Sequence, residues 1–591
     1  MSSVIAPLTP LSPTTDLLAR VEEVWRRCAD YERRDPAVWI HRLSLEELRT
    51  HARRVAAAGP ATQPLYGLTF AIKDNIDLAG VPTTAACPGF AFTPTVSAGV
   101  VERLMAAGAI PIGKTNLDQF ATGLVGTRSP YGVPRNIFNA DYISGGSSSG
   151  SAVAVAAGLV DFSLGTDTAG SGRVPAALNG LVGLKPTRGR LSTRGVVPAC
   201  RSLDCVSIFT RTGGEAARIL AAAQGYDAAD SFSRSLPAST DPLPARPRVG
   251  VPRSEQLEWF GNAESPTLFA AALQRLSAAG AEIVEVDFAP FLEAARLLYE
   301  GPWTAERFAA VGDFLLRHAT EKEAGIDPTV AAIVTGAEHL TAVNAFRASY
   351  RLAELRRAAD TILAGIDLLA APTAGTIYTV AELQTDPIRL NSNLGRYNNF
   401  MNLLDLCGLT LPAGNYRAGP GFGITLCGQA WHDQRLLELA TRYLQEPAMP
   451  AAPAGRDTVT LAVCGAHLRG QPLHRQLTEL GARFVAATTT SPHYRLYALA
   501  NTTPPKPGLV RVTEPAPGHA IAVETYTLTA EAFGRFVAAV PAPLVIGEAT
   551  LADGSTVKSF LCEPRALVGA EDITHFGGWL GYRQSLTTPR S

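Results

Sequence analysis

The sequence is poor in charge and poorer still in lysine. Charged residues make up 18% of its 591 residues, and 52 basic and 53 acidic side chains leave a formal net charge of -1. No block of like charges is present, which argues against nucleic acid or an anionic membrane as the partner. Only six of the basic residues are lysines. A lysine in this chain therefore marks a position where arginine would not serve.

Long apolar runs and targeting signals are also missing. The Ala-rich stretch 152–160 is far shorter than the roughly 20 residues that a membrane-spanning helix needs. The first residues, MSSVIAPLTPLSPTTD, lack the basic and apolar regions of a secretory signal, so we expect a cytoplasmic protein. The eight cysteines form no CxxC pair, which favours free, buried thiols over disulfides or metal ligands. We expect neither a metal nor an organic cofactor.

The hydrophobic pattern predicts an α/β fold. Short apolar runs such as LTFAIK and AIPIGK alternate with Ala-rich helical stretches, as in a sheet covered by helices. The Pro- and Ala-rich segment EPAMPAAPAGRD is the best candidate for a linker. We therefore predict an N-terminal helical segment at 1–60 that packs on the core, a catalytic domain at 61–446, a linker at 447–457 and a smaller α+β domain at 458–591.

Two Gly- and Ser-rich segments, GGSSSGSAVAVAAG at 145–158 and GTDTAGSGRVPA at 165–176, suggest a functional loop. A phosphate-binding loop would need a lysine after Gly150, and none is there. A nucleophile elbow fits the spacing of Gly146, Ser148 and Gly150, but it needs a preceding buried strand and a histidine. The chain has no histidine between 52 and 317. A nucleophile elbow therefore remains an alternative only if a histidine that is distant in the sequence folds next to the serine.

A lysine offers a third interpretation of the serine-rich loops. Lys73 ends the apolar segment LTFAIK, and a buried lysine can lose its proton, whereas arginine cannot. A neutral lysine can act as the base that activates a serine. This pattern predicts a serine nucleophile with a lysine base.

These segments resemble the amidase signature family over most of residues 60–445. The resemblance implies a central mixed β-sheet covered by helices and a Ser-cisSer-Lys triad in which Lys73 is the base, Ser147 the bridging serine on a cis peptide, and Ser171 the nucleophile that forms an acyl-enzyme. It also implies an oxyanion hole made by the backbone N–H groups of Thr168, Ala169, Gly170 and Ser171.

The neighbouring polar residues have simpler interpretations. We expect Asp167 to brace the nucleophile loop through hydrogen bonds to the backbone rather than to titrate. The remaining serines and lysines near these loops are predicted to be structural: Ser148, Ser149, Ser151, Lys114 and Lys185.

Within that family the sequence resembles the allophanate hydrolase branch, through TAGSGRVPA, GLVGTRSPYG and NNFMNLLDLCGLTLPAG. This resemblance implies a small anionic substrate, allophanate, whose carboxylate a guanidinium can bind in a bidentate manner. We expect Arg307 and Tyr299, in LLYEGPWTAERF, to bind it. Gly172 is expected to let the backbone approach so compact a substrate.

The C-terminal segment resembles the extra domain of the same branch, which has a γ-glutamylcyclotransferase-like fold. We expect it either to help decompose the first product, with His493 as the candidate residue, or only to support a homodimer. Allophanate from urea would require a separate urea carboxylase, and triazine breakdown is the other source. A broad-specificity amidase and a glutaminase-type amidotransferase subunit remain alternatives, whereas the complete triad argues against a non-enzymatic scaffold.

Overall fold

The computed structural model describes residues 15–237, 242–447, 458–500, 502–512 and 517–587. The chain divides into two compact units, with the boundary between residues 452 and 453. The segment predicted as a linker, 447–457, lies outside the described residues except for its first position.

The first unit contains eleven strands and fifteen α-helices among its described residues. The strands are β1 (Trp39–Arg42), β2 (Thr69–Lys73), β3 (Ile110–Thr115), β4 (Phe162–Asp167), β5 (Val182–Lys185), β6 (Cys205–Thr210), β7 (Arg248–Pro252), β8 (Glu282–Val286), β9 (Leu368–Pro372), β10 (Leu406–Asn415) and β11 (Gly421–Gln429). The helices are α1 (Leu17–Glu32), α2 (Leu45–Ala58), α3 (Gly99–Ala106), α4 (Ser149–Ala156), α5 (Val174–Leu178), α6 (Gly213–Ala223), α7 (Ser265–Ala278), α8 (Ala289–Glu300), α9 (Thr304–Arg317), α10 (Pro328–Thr335), α11 (Ala342–Leu363), α12 (Val380–Thr385), α13 (Arg389–Gly395), α14 (Phe400–Leu403) and α15 (Asp433–Tyr443).

All eleven strands join one mixed sheet in the order β1-β3-β2-β4-β6-β5-β10-β11-β9-β7-β8. Strand β2 runs parallel to both of its neighbours, β3 and β4, whereas the middle of the sheet from β4 to β9 is antiparallel. Strands β2 to β6 are buried along their whole length, which is why they read as apolar runs without alternation. This is the predicted mixed sheet covered by helices.

The N-terminal segment contributes more than helices. Helix α1 begins at the N-cap Asp16, and α2 begins at a capping box made by Ser44 and Glu47. Their buried faces belong to the same hydrophobic cluster as the sheet. Between them, β1 pairs antiparallel with β3 and extends the sheet. The prediction of an N-terminal helical segment at 1–60 did not include this short edge strand.

The second unit is an α+β domain. Its described strands are β12 (Thr458–Val463), β13 (Arg483–Thr489), β14 (Tyr494–Ala498), β15 (Pro507–Arg511), β16 (Ala522–Thr529), β17 (Leu544–Thr550), β18 (Thr556–Cys562) and β19 (Glu571–Asp572), and its helices are α16 (His474–Glu479), α17 (Ala530–Ala538) and α18 (Trp579–Thr587). Five strands form one sheet in the order β13-β16-β12-β18-β17, and three form another, β15-β14-β19. A separate hydrophobic cluster, which includes Leu461, Tyr526 and Phe560, fills its core.

The structure also bears on the expectations about membrane-spanning helices and about the cysteines. No helix among the described residues is both long and apolar enough to cross a membrane. All eight cysteines are free, and seven of them are buried, as expected for small apolar side chains.

Candidate active site

Lys73 lies at the carboxyl end of β2 and is completely buried. Its Nζ lies 2.8 Å from Ser147 Oγ and 2.8 Å from Thr166 Oγ1. No carboxylate lies within ion-pair distance of this amine among the described residues, whereas the buried cations Lys114 and Arg173 each have one. A buried ammonium without a counter-ion is unfavourable, so the surroundings favour the neutral amine.

The pKa of Lys73 reflects this environment. The pKa of Lys73 is lowered from 10.5 to about 7; burial is the main cause, and the charge of Arg307 acts in the same direction. The carboxylates of Asp118, Asp167 and Asp204 act in the opposite direction. A lysine with a pKa near 7 is partly neutral at neutral pH and can accept a proton there.

Ser147 lies on the loop that precedes α4. The Gly146-Ser147 peptide bond is cis, as the family resemblance implies. The carbonyl oxygen of Ser147 accepts a hydrogen bond from the Asp118 N–H at 3.0 Å, while its Oγ meets Lys73 Nζ. The main-chain carbonyl group and the side chain of Ser147 are therefore both held by buried partners.

Ser171 lies on the loop between β4 and α5 and is 3% exposed. Asp167, the last residue of β4, accepts hydrogen bonds from the Gly170 N–H at 2.8 Å and the Gly172 N–H at 3.0 Å. Its carboxylate also pairs in a bidentate manner with Arg173, at 2.8 and 2.9 Å. Asp167 thus braces the loop on both sides of Ser171.

The pKa of Asp167 fits this bracing role. Burial alone would raise the pKa of Asp167, but the Arg173 guanidinium and the Gly172 N–H outweigh burial and hold it below its usual value. The carboxylate therefore stays ionised at neutral pH and does not exchange protons during a reaction.

The hydrogen bonds around Ser171 bear on the predicted relay and oxyanion hole. Among the described residues, the N–H groups of Thr168, Ala169 and Ser171 donate to no acceptor, whereas the Gly170 N–H is occupied by Asp167. The hydroxyl of Ser171 likewise makes no hydrogen bond within the described part of the chain, so no bond joins it to Ser147 in this structure. Three of the four N–H groups predicted to form the oxyanion hole, and the hydroxyl of Ser171, therefore make no hydrogen bond within the described residues.

Gly172 has a packing role in the nucleophile loop. A Cβ at this position would lie 2.6 Å from Ser207 Oγ on β6 and 3.1 Å from Asp167 Oδ2. The glycine is therefore required because the nucleophile loop packs directly on β6. This packing does not test the expectation that Gly172 lets the backbone approach a compact substrate.

Arg307, on α9, is 2% exposed and lies beside Tyr299 at the end of α8. Its guanidinium donates to Ala121 O at 3.2 Å, to Thr122 Oγ1 at 3.0 Å and to the Tyr299 hydroxyl at 3.4 Å. No carboxylate of the described residues is within ion-pair distance of it. A buried guanidinium that lacks a counter-ion is suited to bind an anionic ligand.

Tyr299 connects this pair to its surroundings. It lines a cavity of about 350 Å³ together with Arg128 and Asn391. It also packs on the hydrophobic cluster that contains Ala169 of the nucleophile loop. The predicted substrate-binding pair is therefore brought near the nucleophile loop by the packing of α8.

The serines and lysines expected to be structural have structural partners. Three hydroxyls, of Ser148, Ser149 and Ser151, donate to main-chain carbonyl oxygens. Lys114 is fully buried and pairs with Asp74 at 3.0 Å, and Lys185 donates to the Pro186 carbonyl.

Three residues of the site were not anticipated from the sequence. Thr166 contacts Lys73 Nζ, Asp118 holds the Ser147 peptide, and Asp204 accepts a hydrogen bond from the Thr168 hydroxyl at 2.5 Å. Burial raises the pKa of Asp204. Thr166 directly precedes Asp167 in GTDTAGS, so its position next to the nucleophile loop could have been predicted from the sequence. Asp118 and Asp204 lie in other segments, where no motif marks them.

The second unit has its own cavity. The side chain of His493 is exposed, and it is not among the residues that line this cavity of about 260 Å³. His467 lines it instead, stacked on Phe560 with ring centroids 5.2 Å apart and with Nε2 2.9 Å from Gln476 Oε1. Burial lowers the pKa of His467. The motif GAHLRG contained this histidine, but nothing in the sequence distinguished it from the others.

Comparison with known proteins agrees with this description. A family model described as Amidase matches residues 21–437, and one described as Allophanate hydrolase C-terminal domain matches residues 459–584. The fold and the match define an enzyme of the amidohydrolase class. The chain belongs to the amidase family.

Individual relatives cover different parts of the chain. Urea amidolyase of Saccharomyces cerevisiae is 44% identical over 583 residues, which are 94% of this chain but 31% of that protein. The chain thus spans about a third of the length of the urea amidolyases that it matches. The Kluyveromyces lactis allophanate hydrolase structure is 42% identical with a TM-score of 0.70, covering 98% of this chain and 97% of that one. Peptide amidase from Stenotrophomonas maltophilia is 29% identical with a TM-score of 0.62, covering 74% and 95%.

Proposed function

We propose that the protein hydrolyses allophanate to ammonia and carbon dioxide through a Ser171 acyl-enzyme. The observation that carries this proposal is the buried Lys73 amine, which lacks a carboxylate partner among the described residues and contacts Ser147 Oγ at 2.8 Å. The similarity to allophanate hydrolase and urea amidolyase supports the choice of substrate.

The proposed chemistry begins with proton transfer. Neutral Lys73 takes the proton of Ser147, Ser147 takes that of Ser171, and Ser171 Oγ attacks the carbon of the terminal carboxamide. The N–H groups of Thr168, Ala169 and Ser171 stabilise the oxyanion, since they have no other acceptor within the described residues. The C–N bond breaks, the proton returns through the relay to the nitrogen, and ammonia leaves.

Water completes the cycle. It attacks the acyl-enzyme, gives its proton to the same relay, and releases Ser171 and N-carboxycarbamate. That product decays to carbon dioxide and a second ammonia. No step of this sequence uses a metal or an organic cofactor.

Specificity for an anion is assigned to Arg307 and Tyr299. The buried guanidinium of Arg307 donates to neutral oxygens and has no carboxylate within ion-pair distance among the described residues, so the substrate carboxylate would supply the missing counter-charge. A neutral amide such as malonamide would leave that charge uncompensated. This difference favours allophanate over neutral amides.

The remaining inferences concern the location of the protein, its oligomeric state, the source of its substrate and the role of the second unit. We infer a cytoplasmic homodimer that receives allophanate from a urea carboxylase activity or from triazine breakdown. Decomposition of N-carboxycarbamate in the second unit remains part of the proposal, with His493 as the sequence candidate. Because His467 lines the cavity and the side chain of His493 is exposed, we favour His467 over His493 for this role.

The test measures ammonia release from allophanate, urea, malonamide and glutamine. The wild type is compared with Ser171→Ala and with the control Ser163→Ala, which removes a buried hydroxyl that donates to Ser151 O at 2.8 Å, outside the triad. We expect activity confined to allophanate, lost by at least about 10³-fold in Ser171→Ala and retained in Ser163→Ala. A rapid-quench mass spectrum should show the acyl group on Ser171.

Other outcomes discriminate among the alternatives. Turnover of glutamine or of many amides would leave the assignment of the triad intact and would reject allophanate as the substrate. It would favour a glutaminase-type subunit or a broad-specificity amidase. Undiminished activity in Ser171→Ala would reject the mechanism itself.

A further inference from the structure

Asp118 is a fully buried carboxylate next to the loop that carries Ser147. It follows β3 in the segment KTNLDQF and belongs to no motif used above. Among the described residues, no lysine, arginine or histidine lies within ion-pair distance of it. An ionised carboxylate so deeply buried must be stabilised by hydrogen bonds from neutral donors.

Three main-chain donors supply that stabilisation. Oδ2 accepts from the Val125 N–H at 3.1 Å and the Gly126 N–H at 3.0 Å, and Oδ1 accepts from the Arg128 N–H at 3.0 Å. Asp118 therefore organises the turn in GLVGTR around its own carboxylate.

The same residue holds the bridging serine. Its N–H donates to Ser147 O at 3.0 Å, and a Cβ placed on Gly146 would overlap its Oδ2. The cis peptide between Gly146 and Ser147 thus lies directly against Asp118. A change at this position would shift the serine that contacts Lys73.

The charge of Asp118 differs from that of the other carboxylates near Lys73. The groups that act on Lys73 are Asp118, Asp167 and Asp204, which favour its protonated form, and Arg307, which opposes it. Asp167 is neutralised by Arg173 through a bidentate pair. Asp118 has main-chain donors alone within the described residues, so its charge acts on Lys73 without a counter-ion in contact.

We propose that Asp118 is a positioning residue of the reaction, which holds the Ser147 peptide against Lys73 and maintains a fixed negative charge beside that lysine. This inference rests on the proposed triad. It adds a fourth buried side chain to the machinery, one that touches neither the substrate nor the nucleophile.

The test is the pH dependence of Asp118→Asn. The acid limb of kcat/KM reports the loss of the proton from Lys73, and removal of a nearby negative charge makes that loss easier. We expect the limb to move to lower pH by about one pH unit and the plateau to fall by about 10- to 100-fold, because Ser147 is displaced. The rate of Ser171 sulfonylation by phenylmethanesulfonyl fluoride should show the same shift.

The sulfonylation assay separates this inference from the substrate assignment. It requires an activated Ser171 but no particular amide, so it tests Asp118 whatever the substrate proves to be. The matched control is Asp35→Asn: Asp35 is also buried and accepts the N–H groups of Ala37 and Arg135, but it is not among the groups that act on Lys73. We expect the control to leave the acid limb unchanged.

A second variant covers loss of folding in Asp118→Asn. Asp118→Glu retains the charge and displaces the carboxylate, so its plateau should fall while its acid limb stays at the wild-type pH. An unmoved limb in a folded Asp118→Asn, or a limb that moves in Asp118→Glu, would overturn the proposal.

Discussion

Replacement of Lys73 by methionine should reveal the free energy that the buried base costs the folded protein. The folded-state pKa of about 7 lies below the 10.5 of an unfolded chain, so between these values the unfolded state binds more protons. The lysine therefore destabilises the wild type fully at and below pH 7, and the cost disappears as the pH rises towards 10.5. Each unit of pKa difference corresponds to about 1.4 kcal/mol.

The magnitude follows from these two values. The cost is about 4 kcal/mol at pH 7 and about 2 kcal/mol at pH 9. Lys73→Met lacks this term, although it also loses the hydrogen bonds to Ser147 and Thr166. That loss does not depend on pH. The difference in the free energy of unfolding between variant and wild type should therefore move by about 2 kcal/mol against the variant from pH 7 to pH 9.

Denaturant unfolding followed by tryptophan fluorescence is the assay. Five of the six tryptophans precede residue 453 and so report on the first unit. Lys114→Met gives the contrast, because it leaves Asp74 buried without its cation and should destabilise by about 3 kcal/mol. A variant-to-wild-type difference that is constant from pH 7 to pH 9, or that moves in favour of Lys73→Met, would refute the assignment of Lys73 as a neutral buried amine.

Three further predictions concern the other parts of the site. Asp167→Asn should cost about 3 kcal/mol in thermal or denaturant unfolding, because it leaves Arg173 buried without its partner, and should lower kcat at least about 100-fold; a stable, active variant would contradict the bracing role. Arg307→Lys should raise KM for allophanate about 10- to 100-fold in steady-state assays while changing the rate of Ser171 sulfonylation by phenylmethanesulfonyl fluoride little, and an equal loss in both assays would count against carboxylate binding. His467→Ala should delay the second ammonia relative to the first in a time course, and His493→Ala should not; the reverse result would restore His493 as the candidate.

The sequence predicted the parts of the site that lie in motifs. Lys73 could be identified because lysine is rare in this chain, and the serine loops because their glycines and serines are so concentrated. Asp167 could be anticipated as a brace because it stands four residues before Ser171. The first of these inferences used the composition of the whole chain, and the other two used neighbours in the sequence.

The residues that were missed depend on the tertiary fold. Asp118 meets Ser147 only because the segment after β3 folds back against the loop before α4, and single residues in unrelated segments carry no such information. Strand β1 has four residues and lies between two strong helices, so its pairing with β3 leaves little periodic signal. His467 was not considered as a candidate, because exposure and cavity lining cannot be read from local sequence.

Strand register has a consequence for how this site can change. Strands β2 and β4 are parallel neighbours, paired from Phe70 with Phe162 to Ile72 with Leu164, so the base and the nucleophile loop leave the sheet at the same edge. A slip of one residue would displace Lys73 by about 3.3 Å along the strand and turn its side chain to the other face. The distance between base and nucleophile is thus set by backbone pairing. Within the segment that joins the two strands, only the parts outside β3, Asp118 and the Ser147 loop can vary in length and sequence while the catalytic spacing stays constant.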